Sequence, residues 1–349
     1  MNFKKSASVI ASVILFLCTP AYGESANIRI VDVGPGLCIV ANFPGGYDLL
    51  YDAGHWQSKT CEAAVTNLVE DDHLEMVVIS HPDSDHLGEL PKILEEVSAG
   101  LIIHTGRDRP RRPQAWLDAV AAIEAAAVSD SNPEGAEVIN LSETELSPGT
   151  AWELGEATVT FVAGWGEWDR ANSDVGKMPS PAELRNVISI VMRIEYAGQS
   201  VLLPGDTIGR RNNDRDPEAC RDAEKLMVNA ANDVPIASDV LIAPHHGGNN
   251  GSSKCFLETV DPEYVIYSAG HNHEHPRRRA VDRAIAAGVD PNNIFRTDRG
   301  DDEGHLEYAG GRIDDCEDKR GDDAVNIELS ESGVSITYSS PSDGMVCSQ

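Results

Sequence analysis

A nine-residue stretch, Ser80 to Gly88, concentrates side-chain types that bind metal ions. It carries two imidazoles and two carboxylates, His81, Asp83, Asp85 and His86, at alternate positions and then side by side. Groups packed so closely would repel one another or stay unsatisfied unless a cation lay between them. A polar turn with capping aspartates explains Asp83 or Asp85 singly, but it does not explain all four residues. The stretch is therefore a candidate metal-binding motif.

Three further segments place ligand-type residues directly after an apolar strand, namely Asp206, the pair His245 and His246, and His275. The motif itself follows the apolar, largely β-branched run 76–79 and precedes a stretch, 87–97, with the apolar spacing of a helix. Because functional side chains gather in loops at strand ends, we expect all four segments to meet at one site. Three histidines and three carboxylates at that site can hold two divalent ions.

A pair of metal ions predicts hydrolytic chemistry. Two ions about 3.5–4 Å apart can clamp the attacking and leaving oxygens of a displacement and supply hydroxide near neutral pH. Asp206 offers a carboxylate that would bridge the two ions. His246 or His275 would then protonate a leaving group or bind the oxyanion. Together with Asp85, these two histidines are the candidate catalytic residues.

Strands and helices that alternate along the chain must position these loops. Three strands are expected first, at 28–33, 37–43 and 47–51, with glycine turns between them. Helices are expected at 61–69, 87–97, 115–127, 217–229 and 278–287. We read 164–183 as a surface loop, 186–195 as a strand, and 324–329 with 334–338 as closing strands. Since no repeat or linker divides the chain, the pattern predicts one α/β domain over residues 24–349.

The N-terminus has the pattern of a secretory signal peptide. Lys4 and Lys5 precede an apolar stretch at 9–18, and a small-x-small site ends at Gly23. This predicts a leader over 1–23, a mature chain from Glu24, and a periplasmic or secreted location. An uncleaved anchor is the alternative. No later segment is long enough to span a membrane.

Six cysteines remain once Cys18 leaves with the leader. An even number in an exported protein favours disulfides, whereas six free thiols would suit a cytosolic protein better. We expect at least two disulfides. The pairing we favour is Cys316 with Cys347, because both lie near the terminal hairpin.

The formal charge of −29, about −31 without the two leader lysines, repels duplex DNA and anionic membranes. We therefore expect no stable duplex DNA complex. Ten arginines nevertheless fall in three clusters, at 107–112, 210–215 and 277–279. Arg210, Arg277 and Arg278 lie close after ligand loops, so they are candidates to bind an anionic substrate, small or polymeric. The alternative is that these clusters are solvated or offset local aspartates.

The ordered set of motifs resembles the metallo-β-lactamase superfamily and, within it, the ComEC-type branch of competence proteins. The resemblance covers roughly residues 28–298. It depends on eight segments, which are 31–36, 50–54, 81–88, 186–193, 203–206, 243–247, 275–276 and 297–298. Any one of them alone would be weak evidence, but the ordered set is specific.

This resemblance implies a four-layer αββα sandwich with a dinuclear metal site at one edge of its two sheets. It assigns His81 and Asp83 to the first metal, Asp85, His86 and His245 to the second, and Asp206 to the bridge. Asp32 and Asp52 lie at or near strand ends, where an aspartate most often caps a turn, and support of the ligands from beneath is the functional alternative. Asn186 and Asp298 are further candidates for such support. Many members have a ligand histidine where this chain has Asn186. Asp83 replaces a usual histidine, which favours manganese as well as zinc.

The function these features predict is that of an exported metal-dependent hydrolase of phosphodiester bonds, in nucleic acid or in a phosphorylated envelope component. A hydrolase of lactams, lactones or thioesters on the same fold is one alternative, and a non-catalytic binding module that carries metal is another. Since the sequence lacks the membrane channel of full-length competence proteins, DNA uptake is not expected of it.

Overall fold

A computed structural model of the chain describes residues 24–109, 111–129, 132–169, 172, 178–211, 214–270, 275–297 and 323–339. The predicted leader, Asp298 and the favoured pair Cys316 and Cys347 lie outside the described residues.

The strands form two sheets, one of eight strands and one of seven. The first has the order β15-β14-β1-β2-β3-β4-β5-β6 and the second the order β13-β12-β11-β10-β9-β8-β7. The strands are β1 Ala26–Ile30, β2 Cys38–Phe43, β3 Tyr47–Ala53, β4 His73–Ile79, β5 Ser98–His104, β6 Glu137–Asn140, β7 Ala151–Leu154, β8 Ala157–Ala163, β9 Val191–Tyr196, β10 Gln199–Leu203, β11 Val240–Ile242, β12 Tyr264–Tyr267, β13 Ile294–Arg296, β14 Val325–Ser330 and β15 Gly333–Tyr338.

The helices cover the outer faces of the two sheets. They are α1 Thr60–Leu68, α2 Leu90–Glu96, α3 Gln114–Ala126, α4 Pro181–Val187, α5 Asp222–Ala230, α6 Lys254–Val260 and α7 Arg278–Ala286. Helices α1, α2 and α3 pack on the first sheet, and α5, α6 and α7 pack on the second. Helix α4 belongs to a smaller cluster with Trp168, Ile208 and Ala223 of α5.

The alternation of side chains along a strand produces two buried faces. In β2, Ile39, Ala41 and Phe43 enter the core between the sheets, whereas Cys38 and Val40 face the helices. The core between the sheets draws on strands of both, so apolar layers lie on each face of each sheet. This is the expected αββα sandwich.

Each sheet contains a run of parallel strands, which brings their following loops to one edge. β3 to β6 are parallel in the first sheet, and β10 to β13 are parallel in the second. The loops after β3, β4 and β5 therefore emerge together, as do those after β10, β11 and β12. All the ligand-type residues of the sequence motifs that the structure describes lie in or beside these loops.

Tyr51 joins the two sheets beneath this edge. Its side chain is fully buried in the first sheet, and its hydroxyl donates to the carbonyl of Ile190, 2.6 Å away, with the carbonyl of Leu203 at 3.1 Å. Both carbonyls belong to the second half of the chain. The hydrogen bond thus fixes how the sheets meet just below the ligand loops.

Helix α4 differs from the expectation of a loop followed by a strand. Ser180 caps its first turn by accepting from the amide of Glu183, whose carboxylate accepts from the amide of Ser180, and Pro181 follows the cap. This capping box starts a helix that ends at Val187. Asn186 therefore lies on a helix, and the strand begins only at Val191. Helix α6 and strand β13 were also not anticipated.

Two disulfides lie among the described residues, as the cysteine count predicted. Cys38 in β2 bonds Cys61 in α1, and Cys220, just before α5, bonds Cys255 in α6. Each thus ties a helix to a neighbouring element. Within the described ranges, no helix is long and apolar enough to cross a bilayer.

Candidate metal centre

The loop after β4 is held in place by the backbone around it. The carbonyl of His86 accepts from the amide of Ala53 at 2.6 Å, and the carbonyl of Asp85 accepts from Leu37 at 3.1 Å. Gly36 lies directly beneath, where an added Cβ would come 2.6 Å from the Asp85 carbonyl oxygen. Any side chain at this glycine would push the ligand loop away. The first glycine turn of the chain is therefore part of the site's scaffold.

Three histidines have their Nδ1 atoms bonded outward and their Nε2 atoms near one another or near Asp206. The outward partners are the Asp52 carboxylate for His86 at 2.7 Å, the Ser268 carbonyl for His246 at 2.8 Å, and the Ser80 hydroxyl for His81 at 3.0 Å. Such bonds fix the ring orientation and keep the Nε2 lone pair available to a metal ion. Asp52 also accepts from the Ser80 amide and hydroxyl, each at 2.7 Å, so it supports two parts of the loop.

Asp206 lies at the centre of these rings and offers one oxygen to each side. Its Oδ1 is 3.3 Å from Nε2 of His86 and 3.4 Å from Nε2 of His246. Its Oδ2 is 3.8 Å from Nε2 of His81 and 3.7 Å from Nε2 of His245. This is the placement of a carboxylate that can bridge two ions.

The donor atoms fit divalent cations. Nε2 of His81 and Oδ1 of Asp206 are buried without a hydrogen-bond partner, which is costly unless another group satisfies them. Ligands at 2.0–2.1 Å around a tetrahedral ion lie about 3.3 Å from one another. Nε2 of His86 and Nε2 of His246 are 3.1 Å apart, close to that edge length. Two groups can each hold an ion, namely His81, His86 and Asp206, and Asp85, His86 and His246.

Burial and neighbouring charges together set the pKa values of Asp206 and the histidines around it. Burial alone would raise the pKa of the Asp206 carboxyl, but His246, His86 and His245 hold that pKa well below its usual range. Burial lowers the pKa of His81 and that of His246. Metal binding requires neutral imidazoles and an ionised carboxylate, and the shifts of His81, His246 and Asp206 favour both. The pKa of His86 moves the other way, since burial would lower it but Asp206 and Asp52 outweigh that effect and raise it well above its usual value.

His245 differs from its neighbour His246. Its Nδ1 lies 2.7 Å from Oδ1 of Asn250, and its Nε2 lies 2.9 Å from Nδ2 of Asn186. Nδ2 of Asn186 can only donate, so Nε2 of His245 accepts and Nδ1 of His245 donates to Asn250. Both ring nitrogens are therefore engaged by asparagines. The His275 ring lies beside this pair, its centroid 5.7 Å from that of His245 and 6.2 Å from that of His246.

Asp83 reaches the rim of the site and belongs to neither group of candidate ligands. Its Oδ1 accepts from Nε of Arg109 at 2.9 Å and from Nε of Arg185 at 2.5 Å. Burial opposes the ionised form, but His81 and these two arginines lower the pKa of Asp83. The sequence analysis placed Arg109 in the cluster 107–112 but did not pair it with Asp83, and it missed Arg185. Arg109 follows β5, the parallel neighbour of β4, and that adjacency is the one signal that could have found it.

A cavity of about 480 Å³, the metal cavity, lies over these residues. It is lined by Asp83, Asp85, Asp206, the histidines 245, 246 and 275, and by Arg185, Asn186, Asn249 and Arg277 among others. Of the three arginines expected to bind substrate, only Arg277 lines it. Arg278 is exposed on α7 near Asp282, and Arg210 is buried with its Nη atoms on backbone carbonyls. Asp32 accepts from the Gly34 amide in the first turn, at 3.1 Å.

Comparisons with known proteins agree with this geometry. The family model of the metallo-beta-lactamase superfamily matches residues 31–271. Competence protein ComA of Neisseria gonorrhoeae is 24% identical over 301 residues, and ComE operon protein 3 of Bacillus subtilis is 21% identical over 312. Each alignment covers 83% of this chain, which spans only about a third of either relative, 33% and 34%.

Among solved structures, YhfI of Bacillus subtilis, a metallo-beta-lactamase fold protein, is similar with a TM-score of 0.45 and 12% identity, covering 78% of this chain and 96% of that one. CmlA, a diiron beta-hydroxylase of Streptomyces venezuelae, has a TM-score of 0.44 and 13% identity, covering 78% and 53%. The family model matches well over half of the chain. The chain therefore belongs to the metallo-β-lactamase superfamily.

Proposed function

We propose that this protein is an exported metal-dependent hydrolase of phosphodiester bonds. The observation that carries the proposal is Asp206, which offers one carboxylate oxygen toward His81 and the other toward His86 and His246. Arg185 and Arg277 in the cavity wall supply positive charge where an anionic substrate would lie. Two curated relatives are competence proteins, which favours nucleic acid as the phosphodiester.

Export is supported by two independent features. The N-terminal residues 1–23 have the pattern of a signal peptide. Two disulfides join elements of the folded domain, and structural disulfides persist in oxidising compartments.

The ligand roles we propose follow from the ring nitrogens. His81 and Asp206 would hold one ion. Asp85, His86 and His246 would hold the other together with Asp206, so His246 would take the place that the family resemblance gave to His245. Zinc or manganese, when bound there, would supply Lewis acidity and water of lowered pKa. His245, held by two asparagines, orients the substrate, and His275 delivers a proton to the leaving oxygen.

Metal content and hydrolysis test the proposal together. The purified mature protein should contain about two divalent ions per chain and cleave bis(p-nitrophenyl) phosphate. Asp206→Asn should lose bound metal and at least about a hundredfold in kcat/KM, because the bridge holds both ions. Asp118→Asn, an exposed aspartate on α3, is the matched control. A metal-free active protein, or full turnover by Asp206→Asn, would reject the assignment.

A second candidate function follows from a cavity of about 410 Å³ beside His81, part of whose wall is apolar. Leu87, Trp116 and Ile123 line it along with His81. Such a cavity would accept the acyl chain of a thioester or lactone. This function would be favoured if the protein cleaved thioesters or lactones faster than the phosphodiester. Ala119→Phe, which fills the cavity, should then abolish that cleavage.

A further inference from the structure

A third cavity, of about 560 Å³, adjoins the metal cavity and is rich in arginine. Its wall contains five arginines and two aspartates, namely Arg210, Arg211, Arg215, Arg279 and Arg283 with Asp214 and Asp282. Asn249 lines both cavities, so the two meet at this residue. The chain has 57 acidic and only 28 basic residues, which makes the concentration of arginine here unusual.

Two of these arginines are held by neutral groups. Arg210 donates to the carbonyls of Asp216 and Pro217, at 2.8 and 3.0 Å. Arg283 donates to the carbonyls of Ser252 and Gly251, both at 2.7 Å. Carbonyl oxygens satisfy the guanidinium hydrogens but bring no negative charge. The positive charges therefore remain available to a ligand in the cavity.

The exposed arginines of the wall add to this charge. Arg215 and Arg279 are exposed and make no ion pair within the described part of the chain. Burial lowers the pKa of Arg283, and Arg210 and Arg279 lower it further, while Glu224 acts in the opposite direction. Like charges this close repel one another, and an anion between them would relieve the repulsion.

The backbone beside the wall is tied to a neighbouring helix. The Cys220–Cys255 disulfide joins the segment after Arg215 to helix α6. Lys254 adds an exposed ion pair with Glu218 at 3.0 Å. A cross-link of this kind reduces the backbone freedom that is lost when a ligand binds.

We propose that this arginine cavity is an anion subsite that binds a phosphate group of the substrate, next to the group held in the metal cavity. The exposed guanidinium groups of Arg215 and Arg279 can donate to the oxygens of a phosphate. Arg210 and Arg283, whose hydrogens are largely taken by carbonyls, add positive charge beside it. The role in substrate binding rests on the proposed function. A free phosphate ion is the other source of the same chemistry.

Binding of inorganic phosphate, measured by calorimetry on the full mature protein, tests the site itself. The double variant Arg215→Ala with Arg279→Ala should bind phosphate at least about tenfold more weakly than the parent protein, a difference of about 1.4 kcal/mol. Arg111→Ala with Arg112→Ala removes the same charge elsewhere and should bind like the parent. Asp206→Asn should keep this binding, because the arginine cavity does not need the metals.

Equal binding by the parent and the Arg215/Arg279 double variant, or no binding by the parent, would overturn the site. Loss of binding in Asp206→Asn would place the phosphate in the metal cavity instead and would also overturn it.

A comparison of two substrates tests the source of the phosphate. In the Arg215/Arg279 double variant, KM for a short oligonucleotide should rise about tenfold while kcat stays the same. KM for bis(p-nitrophenyl) phosphate should be unchanged. Unchanged KM for both substrates, with phosphate binding lost, would reject the substrate role and identify a free anion. If the parent cleaves neither substrate, the proposed function is wrong. The calorimetric measurement still shows whether the arginine cavity binds phosphate.

Discussion

His245 and His246 are adjacent in the chain, but their rings have different surroundings. Both residues have positive φ, 51° and 53°, a conformation that non-glycine residues adopt only when their neighbours enforce it. The tight turn sends the ring of His246 toward His86 and that of His245 toward Asn186. The unusual backbone at this position thus points the rings of two adjacent histidines toward different partners.

The two histidines should differ in their effect on metal content. His246→Ala should lose about one ion per chain, because it removes an Nε2 that lies 3.1 Å from that of His86. His245→Ala should keep two ions and change mainly KM. Elemental analysis of both variants after gel filtration makes the comparison. Loss of an ion from His245→Ala alone would restore the assignment implied by the family resemblance.

His104 should make the folded protein sensitive to mild acid. Burial lowers its pKa to about 4, whereas an unfolded histidine has a pKa of about 6.5. Between these values the unfolded chain binds the proton first, so the free energy of unfolding falls as pH drops from about 6.5 to 4. The loss is at most about 3 kcal/mol, and less where solvent reaches the ring.

His104→Gln should make the acid loss shallower over the same pH interval. Urea unfolding at several pH values between about 4 and 7 measures it. Parallel pH profiles for the variant and the parent would show that other groups dominate the acid response.

At the scale of elements, apolar periodicity predicted the strands that carry ligands. β4 ends in the apolar run 76–79, and β11 is apolar throughout, so both have the composition of a buried strand where they lead into the ligand loops. The sequence predicted a strand from residue 186 because Val187, Ile188 and Ile190 are β-branched, the composition of a strand. In the structure all three are fully buried, but Val187 ends helix α4. Its capping box at Ser180 and Glu183 was nevertheless readable in the sequence.

The parts of the site that could not be predicted depend on tertiary contacts. The motif predicted the cluster around Asp206, because ligand types followed several strands. It could not choose between His245 and His246, since that depends on two backbone angles. It could not find Arg185 either, because that residue reaches Asp83 from a helix 102 positions away in the chain.

The Cys38–Cys61 disulfide should stabilise the element beside the metal loop. It closes a loop of 23 residues, and the chain-entropy model gives about 3 kcal/mol for that length. Replacing both cysteines by alanine should lower the free energy of unfolding by about 2–4 kcal/mol in denaturant titrations. Dithiothreitol should destabilise the parent by more than this double variant. Equal effects of reductant on both proteins would show that this bond contributes little.

At the scale of the whole molecule, the site is assembled from both sheets. His81, Asp85 and His86 come from the first sheet, and Asp206 and His246 come from the second. Strand β14, near the other end of the chain, pairs with β1, so residues about 300 positions apart complete the first sheet. The candidate centre is therefore a property of the complete sandwich.

The hydrogen bond of Tyr51 has a thermodynamic consequence for metal binding. It joins the sheets just below the edge where their ligands meet, so aligning the sheets and binding the ions are coupled equilibria. Tyr51→Phe keeps the packing but leaves the buried carbonyl of Ile190 without its donor, at a cost of about 1–3 kcal/mol. Part of that free energy should appear as a metal affinity about five- to tenfold weaker in competition with a chelating dye. By reciprocity, adding metal should stabilise this variant less than it stabilises the parent. Identical metal affinities in the two proteins would show that the sheets stay aligned without this bond.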